Sequence, residues 1–335
     1  RAIDRWGARP VLIATNLLFA VGLCTLANAT GSAGLFVAWL ILGVGMGSGL
    51  YDAAFASLVR LYGTDSRNAI RGITLIAGFA STVGWPLSTY LEIHVGWRGA
   101  CYTWALLHLI LGLPLNFSFP KAAALVSQEA RETVVDSPAD GPRDSSHARR
   151  AAILLAIVFA ATWFISTAMA AHLPRLLQAS GTSLGTAVAL GALIGPAQVA
   201  GRLLEMSLLR RSHPLLSARI AAILHPAGAV GLLLLGGPAA AVFALLHGAG
   251  NGILMIANGT LPLLLFGPHG YGRRQGLLMI PARIAQASSP WLFGLALDRW
   301  GSHVLWLSTG ISLMAFAALI AMPKSPTLAT SIQAA

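Results

Sequence analysis

Charge is what this sequence has least of. Charged residues fill 10% of its 335 positions, against about a quarter in an ordinary soluble domain. The 11 acids are outnumbered by 22 lysines and arginines. With 56% hydrophobic residues and a mean hydropathy of +0.72, the chain has too little polar surface to cover itself in water, which excludes a soluble globule. Cysteine is nearly absent. Cys24 and Cys101 both lie in apolar stretches, which gives no footing to a disulfide framework or a cysteine zinc site. The sequence contains no His-Glu-x-x-His, Gly-x-Ser-x-Gly or phosphate-binding Gly-x-x-x-x-Gly-Lys run, and no cluster with metal-ligand spacing. Neither an enzyme nor an ATP-driven pump is expected, and no metal or cofactor is implied.

What is present in abundance is long apolar runs. They lie at about 10–29, 34–59, 70–93 and 99–118, then at about 151–171, 183–208, 216–236, 238–266, 276–297 and 303–322. A helix of roughly 20 apolar residues crosses the hydrocarbon core of a bilayer. The runs lack the alternating period of barrel strands. The fold class expected is therefore an all-α membrane protein with ten transmembrane helices in this chain. Residues 120–150 interrupt the series with Glu129, Glu132, Asp136, Asp140, Asp144, Pro138, Pro142 and several serines, a composition that suits a solvated linker. The domains expected are an N-terminal half over 1–119, this linker, and a C-terminal six-helix half over 151–335.

The net charge of +11 does not point to nucleic acid, because the basic residues sit in short loops without interleaved aromatics. Counted from an inside start, the outer loops hold only Arg98, Arg175 and Arg299, and Arg202 and Arg283 fall within spans. All other lysines and arginines lie on the inner side. That bias places the chain start, the linker and the tail in the cytoplasm. Because the chain opens on Arg1 in a polar loop, two further spans before it are expected, giving six and six around the linker.

The first loop reads Asp4-Arg5-Trp6-Gly7-Ala8-Arg9, and a near copy, Asp298-Arg299-Trp300-Gly301-Ser302-His303, precedes the last span. An inverted repeat of three-helix units predicts such copies on opposite faces. The equivalent loops between them hold Glu92 to Arg98, and Glu205 followed by Arg210 and Arg211. Each has an acid at a span's end and a base soon after. The Asp4-to-Arg9 run resembles the loop between the second and third helices of the major facilitator superfamily. That resemblance covers the whole chain and implies the major facilitator fold, two pseudo-symmetric halves, with ten of twelve transmembrane helices present. Tyr62 through Gly72, Gly201-Arg202, the Gly250-to-Gly267 helix with Tyr271-Gly272, and Gly294 through Gly301 resemble the monocarboxylate-porter branch and its bacterial relatives. The branch implies a bacterial inner membrane and a substrate carboxylate held by the arginine matching Arg202. Gln198 stands where those porters carry an acid, so proton coupling does not carry over to that position. Gly84-Trp85-Pro86 stands in place of the antiporter signature.

Ionisable and amide side chains inside spans are costly and therefore functional candidates. Gln198, Arg202 and Glu205 share one helix face. Arg202 reads as an anchor for an anionic substrate, or as the partner of Glu205 in a closed state. Arg283, one turn from Gln286, reads as a substrate or gate contact, or as a donor to backbone carbonyls. Asp52, after Tyr51, reads as a titratable coupling group or an interfacial cap. His247, Asn251 and Asn258 form a stripe that orients a substrate or bonds between helices. His108 and His225 read as packing histidines, and Gly43, Gly45, Gly47 and Gly49 as close helix contacts. Asp4, Arg5, Gly7, Arg9, Glu205, Asp298 and Arg299 are the loop-motif gating candidates. The function expected is alternating-access transport of a small organic solute, anions favoured. The partners are then that solute, the lipid bilayer and a coupling proton. Alternatives are a facilitator exporting drugs or other metabolites, and a non-transport membrane sensor.

Overall fold

The structure, a computed structural model, describes residues 2–119, 145–208 and 213–322. Most of the expected linker (120–144), together with Arg210, Arg211 and the tail beyond 322, lies outside the described residues. The described chain is helical: α1 (Ala2–Trp6), α2 (Ala8–Ala27), α3 (Ser32–Gly49), α4 (Tyr51–Tyr62), α5 (Ser66–Gly78), α6 (Ala80–Leu107), α7 (Leu113–Phe117), α8 (Ser145–Ala179), α9 (Leu184–Ala192), α10 (Ile194–Ser207), α11 (Pro214–Leu235), α12 (Ala240–Phe266), α13 (Tyr271–Trp300) and α14 (Leu305–Ile320). Among the described residues, eight stretches are long and apolar enough to cross a membrane. Two of them, Ser32–Gly78 and Tyr271–Ile320, run to 47 and 50 residues, more than twice the length one crossing needs. Short 3-10 turns at Gly63–Asp65 and Gly301–Val304 divide them.

Two compact units result. One contains Arg1–Ile70, Phe79–Ala139 and Pro268–Gly276, and the other Arg71–Gly78, Asp140–Gly267 and Leu277–Ala335. Each sequence half thus lends a short helical segment to the unit built mainly from the other half.

In the first unit, α2 and α3 meet through small residues. A Cβ on Gly49 would stand 2.0 Å from Thr15 Cγ2, and one on Gly45 3.3 Å from Phe19. Gly43 and Gly47 face open space, so the expected glycine contact uses one side of the stripe. Close approach of this kind drives helix association where lipid removes the hydrophobic driving force. Phe36, Leu40 and Ile93 are at least 70% exposed, which suits hydrocarbon and not water.

The second unit has two apolar cores. Leu176, Leu177, Phe243, Phe293 and Leu305 centre one, and Leu155, Leu261, Ala282 and Leu319 the other. Gly248, Gly250 and Gly252 of α12 let it approach two neighbours closely. A Cβ on Gly252 would stand 2.3 Å from the backbone oxygen of Gln198, and one on Gly250 2.8 Å from that of Ala221.

Two expectations about loops need correction. The linker does not run to 150, because α8 begins at Ser145 and takes Arg149 and Arg150 into its first turns. Apolarity marks the part of a helix in hydrocarbon, and polar turns extend it into water. Likewise Asp4, Arg5, Asp298 and Arg299 lie on helix ends and not in open loops. Gly7, Gly96 and Gly301, from three of the equivalent stretches, adopt positive φ, at 90, 70 and 55°, as do five further described glycines, a region side chains avoid.

Candidate functional site

In the first unit the loop motif acts on a helix terminus. The Asp4 carboxylate accepts hydrogen bonds from the backbone N–H groups of Gly272 (3.2 Å) and Arg273 (2.6 Å). These open α13, where the first N–H groups have no partner in the helix and the dipole favours negative charge. Arg60 donates to the backbone oxygens of Ile3 and Asp4, holding α1 in place. Arg5 lies over Trp6 at 5.8 Å and Arg9 over Phe117 at 5.6 Å. Asp52 follows a break at Leu50, where extended backbone separates α3 from α4. Its Oδ1 accepts from Gln275 Nε2 at 3.1 Å. Tyr51 packs on Phe55 with ring centroids 5.6 Å apart. At the far end of α2, Arg98 donates to the carbonyls of Ala27 and Ala29 at 3.0 and 3.2 Å, a cation at a helix C-terminus.

In the second unit, charge is buried. Arg71 Nη2 donates to Glu205 Oε1 at 2.8 Å, and both residues are buried. Arg202, only 3% exposed, donates through Nη1 to the Thr74 carbonyl at 2.8 Å and through Nε to the Gly252 carbonyl at 3.4 Å. Gly78 makes room for it, since a Cβ there would stand 2.3 Å from Nη1. Arg71, Thr74 and Gly78 share one face of α5. Charges this deep persist only when paired and hydrogen-bonded. Gln198 lies a turn earlier on α10 and is half-buried.

A second cluster surrounds a small cavity of about 10 Å³, lined by Thr162, Trp163 and Ser166 of α8 and by Asn251 and Asn258 of α12, with apolar walls from Phe159, Leu254 and Leu261. Arg283 of α13 lies over the Trp163 ring at 4.9 Å, and its Nη1 donates to Gln286 Oε1 at 2.7 Å. Arg283 reaches the cavity through Trp163, whose ring shares the lining with amides, hydroxyls and apolar walls; such a set suits a carboxylate with a carbon body. On the same unit, Asp298 and Arg175 form an exposed pair at 2.6 Å, and Arg299 closes the last turn of α13. An exposed pair contributes about 0–1 kcal/mol.

The expected residues therefore fall into separate groups. Asn251 and Asn258 line one cavity with Trp163, on whose ring Arg283 lies, Arg202 and Glu205 belong to the buried charge cluster, and Asp52 bonds Gln275 while Tyr51 packs on Phe55. Sequence reasoning missed Arg71 and Thr74, because Arg71 falls in a basic stretch that the positive-inside count assigns to a loop. The i, i+3, i+7 spacing with Gly78 was the available signal. It also missed Trp163 and the hydroxyls of Thr162 and Ser166. His108, expected to pack, also bonds: its Nδ1 lies 2.9 Å from Asn16 Oδ1. His225, also expected to pack, meets His247.

Residues 1–290 match the sequence profile described as Major Facilitator Superfamily. Solved structures of similar fold include the Escherichia coli fucose:proton symporter FucP, 16% identical over 96% of this chain and 86% of that one, with a TM-score of 0.67. The human organic anion transporter MFSD10 (TETRAN) is 20% identical, covers 95% and 78%, and has a TM-score of 0.70. The proton:xylose symporter XylE, solved with 6-bromo-6-deoxy-D-glucose, is 13% identical over 96% and 82%, with a TM-score of 0.75.

Proposed function

We propose that this chain, which belongs to the major facilitator superfamily and is a secondary transporter rather than an enzyme, moves a small organic anion across the membrane by alternating access. The carrying observation is the Arg283–Trp163 stack beside the cavity that Asn251 and Asn258 line. Arg283 supplies the charge for a carboxylate, and the two amides and two hydroxyls orient it. The apolar walls take the carbon body. At about 10 Å³ the cavity has room for a water and no solute, so binding requires its lining helices to part. Arg202, with Arg71 and Glu205, acts as a lock whose contacts differ between states. Tyr51 and Asp52 form a polar site in the first unit, coupled to Gln275.

Supporting the anion class is the fold shared with MFSD10, named an organic anion transporter. The sugar symporters among the neighbours make a neutral solute the competing outcome. The setting proposed is a bacterial inner membrane, with two pseudo-symmetric halves, the second opening on α8 at Ser145, and the chain start, the linker and the C-terminus in the cytoplasm.

The test is a ligand screen by thermal unfolding of the purified protein, with small carboxylates, L-fucose and D-xylose. A ligand that binds only the folded state raises the unfolding midpoint. A carboxylate shift that Arg283→Ala removes supports the reading. A sugar shift that the substitution leaves intact overturns the anion class and keeps the transporter.

A further inference from the structure

Inside the second unit, two histidines expected to serve other ends face each other. Nδ1 of His225 (α11) lies 3.0 Å from Nδ1 of His247 (α12), and the rings meet edge to face with centroids 5.0 Å apart. Both are buried, at 5% and 4% exposure, and Phe243 packs against both rings. At that distance one Nδ1 must carry the hydrogen and the other must accept it. The two rings therefore hold different tautomers, and one bridging proton fixes both.

The remaining nitrogen of His225 gives the pair a purpose. Nε2 of His225 is buried and has no hydrogen-bond partner among the described residues. It belongs to a ring that lines a cavity of about 20 Å³, together with His247, Thr162, Ser166, Asn251 and Ser312. That is room for one water, with hydroxyls from α8 and α14 and an amide from α12 to hold it. The lining contains no carboxylate, lysine or arginine, so the two imidazoles are its titratable groups. Thr162, Ser166 and Asn251 also line the smaller cavity beside Trp163. The pair thus adjoins the residues assigned above to the solute.

We propose that His225 and His247 form a proton-binding pair, loaded and emptied through Nε2 of His225. When Nδ1–H of His225 donates to Nδ1 of His247, Nε2 presents a lone pair to the cavity. A hydronium ion transfers one proton to that lone pair and leaves as water. The positive charge then passes to the second ring by a shift of the bridging proton from Nδ1 of His225 to Nδ1 of His247. Release reverses both steps, and nothing is oxidised or reduced. The proton is held by a pair, so it comes on and off in steps belonging to both rings. Its use as a coupling ion rests on the transport reading; its binding does not.

The test is nitrogen-15 NMR of histidine-labelled protein in lipid nanodiscs, from about pH 5 to about pH 9, a range that brackets the ordinary histidine pKa. The expected result is a scalar coupling across the Nδ1–H···Nδ1 bridge and two rings whose signals move together as a proton is taken up. His225→Asn sets an amide near the former Nδ1 but nothing at Nε2. In it the coupling and the joint titration disappear, and His247→Asn removes the same signals from the other side. Two rings that stay neutral throughout, or titrate independently without the coupling, overturn the proposal. In liposomes, carboxylate addition to the wild type acidifies or alkalises the lumen, and His225→Asn reduces that change about ten-fold while carboxylate counterflow persists. Lumen pH changes equal to wild type in His225→Asn would remove the coupling role. A wild type that moves no carboxylate would count against the anion reading alone, since the titration is read without substrate.

Discussion

Arg71 and Glu205, 134 positions apart in sequence, close a 2.8 Å ion pair whose side chains are 11% and 4% exposed. Removing one partner of a buried pair strands the other, at a cost of about 3–5 kcal/mol. Glu205→Ala is expected to lower stability on that scale in denaturant unfolding. Arg71→Ala/Glu205→Ala should lose less than the sum of the single variants, by a double-mutant cycle. Additive losses would show that the two side chains do not act as a pair.

Glycines in the second unit make a graded series. Gly252→Ala forces a methyl against the Gln198 backbone oxygen, where it would stand 2.3 Å away. Backbone cannot yield as a side chain does, so the expected loss is at least the ~1–3 kcal/mol of ordinary overpacking. Gly78→Ala meets the Arg202 guanidinium instead, also at 2.3 Å. That group can swing, at the expense of its bond to the Thr74 carbonyl, and a smaller loss follows. Gly310→Ala, in α14 with nothing within 4 Å, should gain about 0.5–1 kcal/mol from helix propensity. Unfolding midpoints in that rank order check the series; equal losses at all three positions would contradict it.

Asp4 caps α13 from a distance of 268 residues. Asp4→Asn keeps an acceptor and removes the charge, at a cost of about 0.3–2 kcal/mol. The local readout is hydrogen exchange at the Gly272 and Arg273 amides, expected to quicken in the variant while exchange in α11 stays unchanged. Uniform quickening would mean general destabilisation in place of a lost cap.

The sequence made the helices and the loop motif legible because both rest on local chemistry. Hydropathy marks the spans, and the Asp4-to-Arg9 run marks a repeated motif, though not the helix terminus that Asp4 caps. The pairings were not legible. His225 and His247 are 22 positions apart on successive helices, and nothing in either stripe fixes how far the two helices rotate toward each other. Arg202 was legible as a buried charge, but its acceptors are the carbonyls of Thr74 and Gly252, and carbonyls carry no residue identity. Trp163 was hidden for a similar reason, since an aromatic in an apolar run looks like packing until a cation from another helix lies on it.

Uptake of small carboxylates into liposomes containing the protein, with Arg283→Ala and Arg283→Lys alongside, tests the central claim most directly. A hydrogen bond to a charged group contributes about 1.5–3 kcal/mol, so Arg283→Ala should weaken uptake roughly 10- to 100-fold. Arg283→Lys keeps the charge, loses the planar stack on Trp163, and should fall between. The amide of the same acid, alike in shape and without charge, should not be taken up. Uptake of acid and amide at equal rates, indifferent to Arg283, would contradict an anion site at the Arg283–Trp163 stack.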